Sequence, residues 1–242
     1  MKKQITSILG FLVIWEVVGT VADPIFFVSF SDAIIALIKL FTEQNLHLDV
    51  MASFQRIIYA LTITFSIAIP LGIAIASSKS SEQITRPITK FLRFVPAPTL
   101  IPLSVVWFGI GEFSKVFIIT WGIFFTVLLS VRDATENVPK EFTQIAKSMG
   151  YSNFKRLQKI ILPAISPEIL NTLRIAIVES WIYLLIAEMI AAKQGVGKSL
   201  ILAQRFLQVD NIFAILILLA IIGIATDLIL VKTRNYLFKY KY

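Results

Sequence analysis

The polar stretch NVPKEFTQIAKSMGYSNFKRLQKIILPAISP, residues 137–167, interrupts an otherwise strongly apolar sequence. Its first part has the pattern of an amphipathic helix, because Asn137 can cap a helix and Pro139 is tolerated in an opening turn. Apolar residues then recur at helical spacing at Phe142, Ile145, Ala146 and Met149. One face of this predicted helix is therefore apolar.

A bend and a second helix follow within the same stretch. Gly150 comes directly after the first helix, where a residue in the left-handed conformation commonly ends a helix. Ser152 or Asn153 can cap a second helix, whose apolar stripe runs until Pro163. The stretch is thus predicted to be a loop of two short helices that meet at a glycine. A hydrophobic span begins soon after it.

The composition places the chain in a membrane. Hydrophobic residues make up 57% of the 242 residues, charged residues make up 16%, and the mean hydropathy is +0.80. These values lie outside the range of ordinary soluble domains, and runs of about 17 to 25 apolar residues can cross a bilayer. We therefore expect an all-α integral membrane protein with a single domain over residues 1–242. Six transmembrane helices are predicted at about residues 5–22, 53–77, 91–111, 114–131, 168–192 and 211–231.

The lysines and arginines indicate the direction of the predicted spans. Cytoplasmic loops of multi-spanning proteins carry the excess of these residues. Of the 23 in the chain, sixteen fall in the terminal segments, in the loop and start of the third span up to Arg93, and in the central loop that begins at Arg132 and includes 137–163. We predict that both termini and the 137–163 loop are cytoplasmic, in the plasma or inner membrane. The net charge of +8 then reflects this asymmetry and contact with anionic membrane lipid, and nucleic-acid binding is not expected.

Little in the sequence offers covalent or metal chemistry. The chain has no cysteine, which excludes disulfides and thiolate metal sites, and His47 is the single histidine. The stretch AKQGVGKS at 192–199 fits a loose form of the phosphate-binding loop. That loop needs a preceding strand, whereas this stretch follows a predicted membrane helix and lies outside by its charges. We interpret Gly195 and Gly197 as turn residues, and we predict no nucleotide, cofactor, metal or catalytic residue.

Prolines and carboxylates mark two of the predicted spans. Pro96, Pro98 and Pro102 lie in the third span, where freed carbonyls need protein or water, so this span should be interior. A kinked helix that only packs fits the prolines as well. Glu179 and Glu188 lie in the fifth span, about 13.5 Å apart along a helix and too distant for joint catalysis. Each should face protein or water; for Glu179, a position lining a path and a structural bond to a neighbouring helix are equally open.

The 137–163 loop resembles the EAA loop of ABC-transporter permeases, whose pattern is Glu-Ala-Ala, three residues, Gly, nine residues and Ile-x-Leu-Pro. In this sequence Gly150 and the segment Ile160–Pro163 stand at that spacing, while Gln144 and Ile145 replace the Glu and the first Ala. The third span, with WFGIGE at 107–112, resembles the corresponding segment of permeases that import sulfonates, taurine, nitrate or bicarbonate.

The resemblance covers nearly the whole chain and implies a role. Such permeases have a MetI-like core of five helices plus a peripheral first helix. They work as homodimers with two cytoplasmic ABC ATPase subunits, which hydrolyse the ATP, and an extracytoplasmic substrate-binding protein. The resemblance assigns the contact with the ATPase to Phe142, Gln144, Ile145, Ala146, Met149, Gly150, Ile160, Leu162 and Pro163. The translocation path is predicted to include Pro96, Pro98, Pro102, Glu179 and Glu188.

The resemblance favours a sulfonate-like, taurine-like or nitrate-like anion as the solute. Relatives of the same architecture import pyrimidine or vitamin precursors, which is the alternative substrate class. A membrane-embedded enzyme would need convergent histidines and carboxylates, which the sequence does not supply. A secondary carrier or channel is a more remote alternative, because carriers often contain internal repeats that are not evident here, and the bent loop would have no role in one.

Overall fold

A computed structural model describes residues 2–238 of the chain, and its regular elements are helices. The predicted all-α class is therefore confirmed. The helices are α1 (Lys2–Val21), α2 (Phe30–Thr42), α3 (Leu46–Ala76), α4 (Lys79–Arg93), a 3-10 turn (Ala97–Leu100), α5 (Ile101–Phe108), α6 (Glu112–Glu136), α7 (Lys140–Ser148), α8 (Asn153–Arg156), a π turn (Leu157–Ile161), α9 (Leu162–Ala191), α10 (Val196–Arg205) and α11 (Val209–Leu237).

The predicted spans differ in how well they match these helices. Helices α3, α6 and α11 are long and apolar enough to cross a membrane, and a fourth crossing results if α4 and the segment Ala97–Phe108 count as one bent span. The third span, predicted as one helix at 91–111, is divided at Phe94–Pro96, and the two parts are bent by 82°. Pro96 lacks an N–H donor and disfavours helical geometry in the residue before it. The count of six spans stays a prediction.

One compact unit contains residues 56–187 and the segment from Asp227 onward. Its largest core cluster is built by α3, α6 and α9, with Val127 and Leu128 among its fully or nearly fully buried members. Small residues allow close helix packing: a side chain at Gly72 would meet Val131 at 3.0 Å, and one at Gly122 would overlap the Tyr183 ring. In a membrane this close packing, rather than transfer out of water, holds helices together.

The second compact unit contains residues up to Gln55 and residues 188–226. Here the Trp15 indole donates a hydrogen bond to the Val28 carbonyl at 3.0 Å. The neighbouring Glu16 carboxylate accepts hydrogen bonds from the backbone N–H of Ser31 at 3.0 Å and from its hydroxyl at 2.6 Å. These bonds fix the connection between α1 and α2, while most of the apolar residues along α1 are exposed.

Candidate functional sites

Helix α7 carries the apolar face that the sequence predicts. It begins at Lys140, and Asn137 ends α6 instead of capping α7, because the Asn137 N–H donates to the Asp133 carbonyl at 3.0 Å. Three apolar side chains of α7 and its end are exposed: Phe142 by 49%, Ile145 by 55% and Met149 by 62%. Ala146 is fully buried, and Gln144 is exposed. Within its unit, the loop therefore displays apolar area that its own chain does not cover.

Gly150 forms the turn after α7. Its φ is +71°, in the left-handed region, and the Tyr151 N–H donates back to the Ala146 carbonyl at 3.0 Å. This is the hydrogen bond by which a left-handed glycine ends a helix. Ser152 then caps α8 by accepting a hydrogen bond from the Lys155 N–H at 3.3 Å. The predicted helix–glycine–helix geometry is present.

The second half of the loop differs from the prediction because the helix does not end at Pro163. Helix α8 passes through the π turn Leu157–Ile161 directly into α9, so that Pro163 lies inside one continuous helical segment, just after the π turn. Ile161 is 8% exposed and joins the core cluster, whereas Ile160 is half-buried and Pro163 exposed. Of the motif residues, Leu162 packs against the core from the side.

The prolines of the predicted path lie at the break between α4 and α5. Pro96 and Pro102 are exposed and Pro98 is half-buried, while their neighbours Ala97 and Ile101 are buried. The predicted interior position is thus not reached within the single chain. Much of α5 and the turn after it remains uncovered, with Val106 exposed by 79%.

Glu179 lies on α9 opposite α6 and is half-buried. Thr126 of α6 and Tyr183, one turn further along α9, are its polar neighbours. The carboxylate oxygen Oε2 is buried without a hydrogen-bond partner among the described residues. A position lining a path and a structural bond to a neighbouring helix, the two roles left open by the sequence, therefore both stay predictions for Glu179.

Glu188 has a different environment, because it is 1% exposed and enclosed by its own unit. Its Oε1 accepts from the Ser53 hydroxyl at 2.8 Å, and its Oε2 accepts from the Gly197 N–H at 2.8 Å. The Ser53 hydroxyl in turn accepts from the Val196 N–H at 3.0 Å. These bonds favour a structural role for Glu188 over the expected position in a translocation path.

The AKQGVGKS stretch is organised by carboxylates of the chain itself. The Gly195 N–H donates to Asp49 Oδ1 at 2.8 Å and the Ser199 hydroxyl to Asp49 Oδ2 at 2.5 Å, next to the Gly197 bond with Glu188. Helix α10 starts here, and helix N-termini favour negative groups. The glycine-rich turn thus cradles carboxylates in the way that related turns cradle phosphate. Asp49 and Ser53 were not predicted from the sequence, because no residue near them in the chain indicates a contact with this loop.

A further ion cluster was not predicted. Arg56 donates to Glu112 from Nε at 2.5 Å and from Nη2 at 2.9 Å, and Lys115 donates to the same carboxylate at 2.9 Å. Both cations are nearly buried, with side chains 6% exposed, whereas the Glu112 side chain is 61% exposed. The cluster ties the turn before α6 to α3. The one indication of this cluster in the sequence is the charged residue Glu112 at the end of the WFGIGE motif.

These features define a class before any comparison with other proteins. The described residues form long apolar helices joined by a bent polar loop with an exposed apolar face. Among those residues, no group of three or more His, Asp or Glu side chains could hold a metal ion. The class is that of multi-spanning α-helical membrane proteins.

Residues 68–233 match the family of binding-protein-dependent transport system inner membrane components, and the chain belongs to this family. It is 34% identical over 239 residues to the taurine transport system permease protein of Escherichia coli strain K12, covering 94% of this chain and 87% of that protein. It is 29% identical over 220 residues to a Bacillus subtilis strain 168 protein named as an aliphatic sulfonates transport permease, covering 89% of this chain and 79% of that protein. The chain is thus an ABC-transporter permease of the multi-pass inner-membrane type.

Solved structures confirm the MetI-like fold. The chain matches a structure of the MetNI methionine ABC transporter in an inward-facing conformation with a TM-score of 0.69, covering 81% of this chain and 98% of that chain. A second crystal form of the same transporter matches with a TM-score of 0.67. The sequence identities are 18% and 17%, so these matches concern the fold alone.

Proposed function

We propose that this chain forms the translocation path of an ATP-driven importer and couples it to cytoplasmic ATPase subunits through the 137–163 loop. The observation that carries this proposal is the exposed apolar face of α7, which the turn at Gly150 holds in one direction. Apolar side chains on a short, capped helix outside the membrane need a protein partner, and a helix face in a groove is a common docking mode. ATP is hydrolysed by the partners, and this chain changes no covalent bond.

The proposed assembly is a homodimer of this chain with two ABC ATPase subunits and an extracytoplasmic substrate-binding protein. The uncovered face of α5, including Val106 and Trp107, is available to the second copy or to the path. Pro96, Pro98 and Pro102 shape the break before α5, and the partly satisfied Glu179 is the carboxylate that we place along the path. Glu188 is left out of the path because its acceptors are engaged within its unit.

The proposed solute is a sulfonate such as taurine. The support comes from the two relatives named for taurine and for aliphatic sulfonates, each of which aligns over most of this chain. Taurine carries an ammonium group as well as a sulfonate, so a carboxylate such as Glu179 in the path is compatible with it. A pyrimidine or vitamin precursor is the alternative substrate class. Transport assays of the purified complex with radiolabelled taurine and with a radiolabelled pyrimidine distinguish the two classes.

We further propose six spans with both termini and the 137–163 loop in the cytoplasm, supported by the distribution of lysine and arginine. The chain contains no cysteine, so single cysteines can be introduced without background labelling. Cysteines at Ser148 and Gln194, both exposed positions, should react with an impermeant maleimide from opposite sides of the membrane. Labelling of both from outside the cell would contradict the proposed topology.

The docking face can be tested with two lysines introduced into the same helix. Ile145→Lys places a charge in the apolar face, whereas Ser148→Lys adds the same charge at an exposed polar position near the favourable C-terminal end of α7. Burying an unpaired charge in an interface costs several kcal/mol, roughly a hundredfold in affinity or more. We expect Ile145→Lys to abolish co-purification of the ATPase and Ser148→Lys to retain it.

Both variants should insert and form homodimers like the parent chain. Equal ATPase recovery with Ile145→Lys and the parent would show that this face is not the docking surface. Loss of the ATPase from both variants would mean that added charge anywhere on the loop disturbs assembly, and the face would lose its special role.

A further inference from the structure

A cationic pocket lies between α4 and the end of α6, within the unit that contains residues 56–187. It has a volume of about 370 Å³ and is lined by Arg86, Lys90 and Arg93 of α4 together with Arg132 and Asp133 of α6. Arg132 is paired with Asp133 at 2.5 Å, and Asp133 is the one carboxylate among the lining residues that the structure describes. The lining thus keeps a net positive charge that suits an anionic group.

An apolar groove of about 590 Å³ runs directly beside this pocket. It lies between α3, α4 and α6, and its walls include Leu71, Leu92, Phe124 and Leu128. Thr89 lines both cavities, so the pocket and the groove adjoin each other at this residue. A single occupant of both would need a compact anionic end and an extended apolar part.

The side-chain pattern of α4 matches such an occupant. Arg86, Lys90 and Arg93 recur at helical spacing and form one basic stripe. Ile84, Ile88 and Phe91 form a second stripe beside it and are exposed by 64%, 54% and 71%. An amphipathic helix with a basic and an apolar stripe is typical of a segment that lies at the headgroup level of a membrane.

We propose that α4 and α6 hold one anionic phospholipid, with its phosphate-bearing headgroup in the cationic pocket and an acyl chain in the apolar groove. Basic pockets between helices on the cytoplasmic side are suited to anionic headgroups. Because the pocket and the groove adjoin at Thr89, one amphiphile can cover both, whereas a free anion would leave the groove uncovered. The basic lining also selects it over the apolar face of a second copy of this chain, which would leave the cations uncompensated.

The test compares lipid retention by the purified full-length chain and its variants. Each protein is exchanged into a mild detergent with equal amounts of phosphatidylglycerol and phosphatidylcholine, and native mass spectrometry counts the retained lipids. We expect the parent to retain phosphatidylglycerol preferentially. Removing a charge near a membrane surface weakens binding about fivefold, so Arg86→Gln with Lys90→Gln should reduce this preference about 25-fold.

Two further variants separate the headgroup from the chain. Lys232→Gln removes an exposed charge of α11 that does not line the pocket and should leave the preference unchanged. Ala74→Trp fills the groove and should lower retention of both lipids while the ratio between them stays as in the parent. Millimolar inorganic phosphate should not displace the retained lipid.

Four outcomes would overturn the proposal. The first is equal retention of the two lipids by the parent, and the second is an unchanged preference in the double variant. The third is displacement of phosphatidylglycerol by inorganic phosphate, which would assign the pocket to a soluble anion. Cross-linking between cysteines introduced at Ile88 of two copies, with no retained lipid, would assign the groove to a second copy instead.

Discussion

Two glycine turns, one at Gly150 and the other at Gly195, connect helices through the same backbone device but in opposite surroundings. Both have positive φ, +71° at Gly150 and +138° at Gly195. A side chain added at Gly150 would meet nothing within 4 Å, whereas one added at Gly195 would collide with the carboxylate of Glu188. The first turn is exposed and its loop displays apolar area, while the second is buried and its N–H groups are paired.

The difference separates two reasons for a glycine. At position 150 only the backbone conformation requires a glycine. The role of this glycine is to set the direction of α7. At Gly195 the conformation and the packing both require it, because the chain closes tightly over its own carboxylates. The exposed loop that we propose binds a partner and the buried loop that bonds to its own chain thus both turn at a glycine. Substitutions of the two glycines should have different effects on stability and on function.

The largest effect is expected for Gly195→Ala. The backbone there, with φ +138° and ψ 157°, lies in a region that only glycine readily adopts, and the new methyl group would also overlap Glu188. Strain and overpacking together should lower the free energy of unfolding by about 3 kcal/mol. Gly223→Ala is the matched control, because that glycine lies inside α11 with nothing within 4 Å, and alanine there should be neutral or stabilising.

Chemical denaturation of the detergent-solubilised chain measures both substitutions. An equal and small change for Gly195→Ala and Gly223→Ala would show that the turn at Gly195 relaxes easily, and the contrast with Gly150 would disappear.

A smaller effect is expected when the carboxylate under the buried turn loses its charge. Glu188→Gln replaces an acceptor oxygen with an amide donor, which leaves the Gly197 or the Ser53 donor unpaired. A buried unsatisfied donor should reduce the free energy of unfolding by about 2 kcal/mol. Glu179→Gln is the comparison on the same helix, and since half of that carboxylate already lacks a partner, it should change stability little and transport rate or selectivity more.

Two measurements on both variants test the roles of Glu179 and Glu188. They are stability to denaturation and solute uptake in reconstituted vesicles. If Glu179→Gln transports every candidate solute like the parent, this carboxylate has no part in the path. If Glu188→Gln is as stable as the parent, the buried hydrogen bonds at the start of α10 do not stabilise the turn at Gly195.

The smallest effect on stability belongs to Gly150. Gly150→Val forces a β-branched residue to positive φ and should destabilise by only about 1 to 2 kcal/mol, since no atom lies in the way. Gly150→Asn keeps access to the left-handed region and is the matched control. We expect both variants to insert and dimerise, but Gly150→Val to lose the ATPase and substrate-stimulated ATP hydrolysis because α7 is aimed elsewhere. Normal stimulation with valine would show that the turn does not set the coupling.

The two turns also differ in what the sequence alone could predict. The apolar spacing of α7, the left-handed Gly150 and the Ser152 cap are local signals, and each was found within a few residues of its neighbours. The carboxylates under Gly195 come from Asp49 and Glu188, and the partners of Asp49 are separated from it by 146 and 150 residues. No local pattern reports such a pairing, so Glu188 could be interpreted only as a costly charge in a membrane helix.

Other errors have local physical causes. Asn137 can cap a helix from either end, and here it closes α6. The prolines at 96 and 98 predicted a kink, and the third span has a full break. Pro96 has no N–H to donate, and it disfavours helical geometry in the residue before it. The contact of Ile160 with an ATPase stays a prediction, while its neighbour Ile161, in the π turn, belongs to the core.

The π turn Leu157–Ile161 has a consequence for how this chain tolerates insertions and deletions. A π turn contains one more residue than the α-helical turn it replaces, and each residue of an α-helix rotates the chain by about 100°. Because both kinds of turn go once around the helix axis, deleting the extra residue would restore a regular helix and leave α7 at nearly the same angle around the axis of α9. A single-residue deletion within Leu157–Ile161 should therefore be tolerated better than a deletion in the regular helix of α9, where each lost residue turns the preceding segment, including α7, by about 100°.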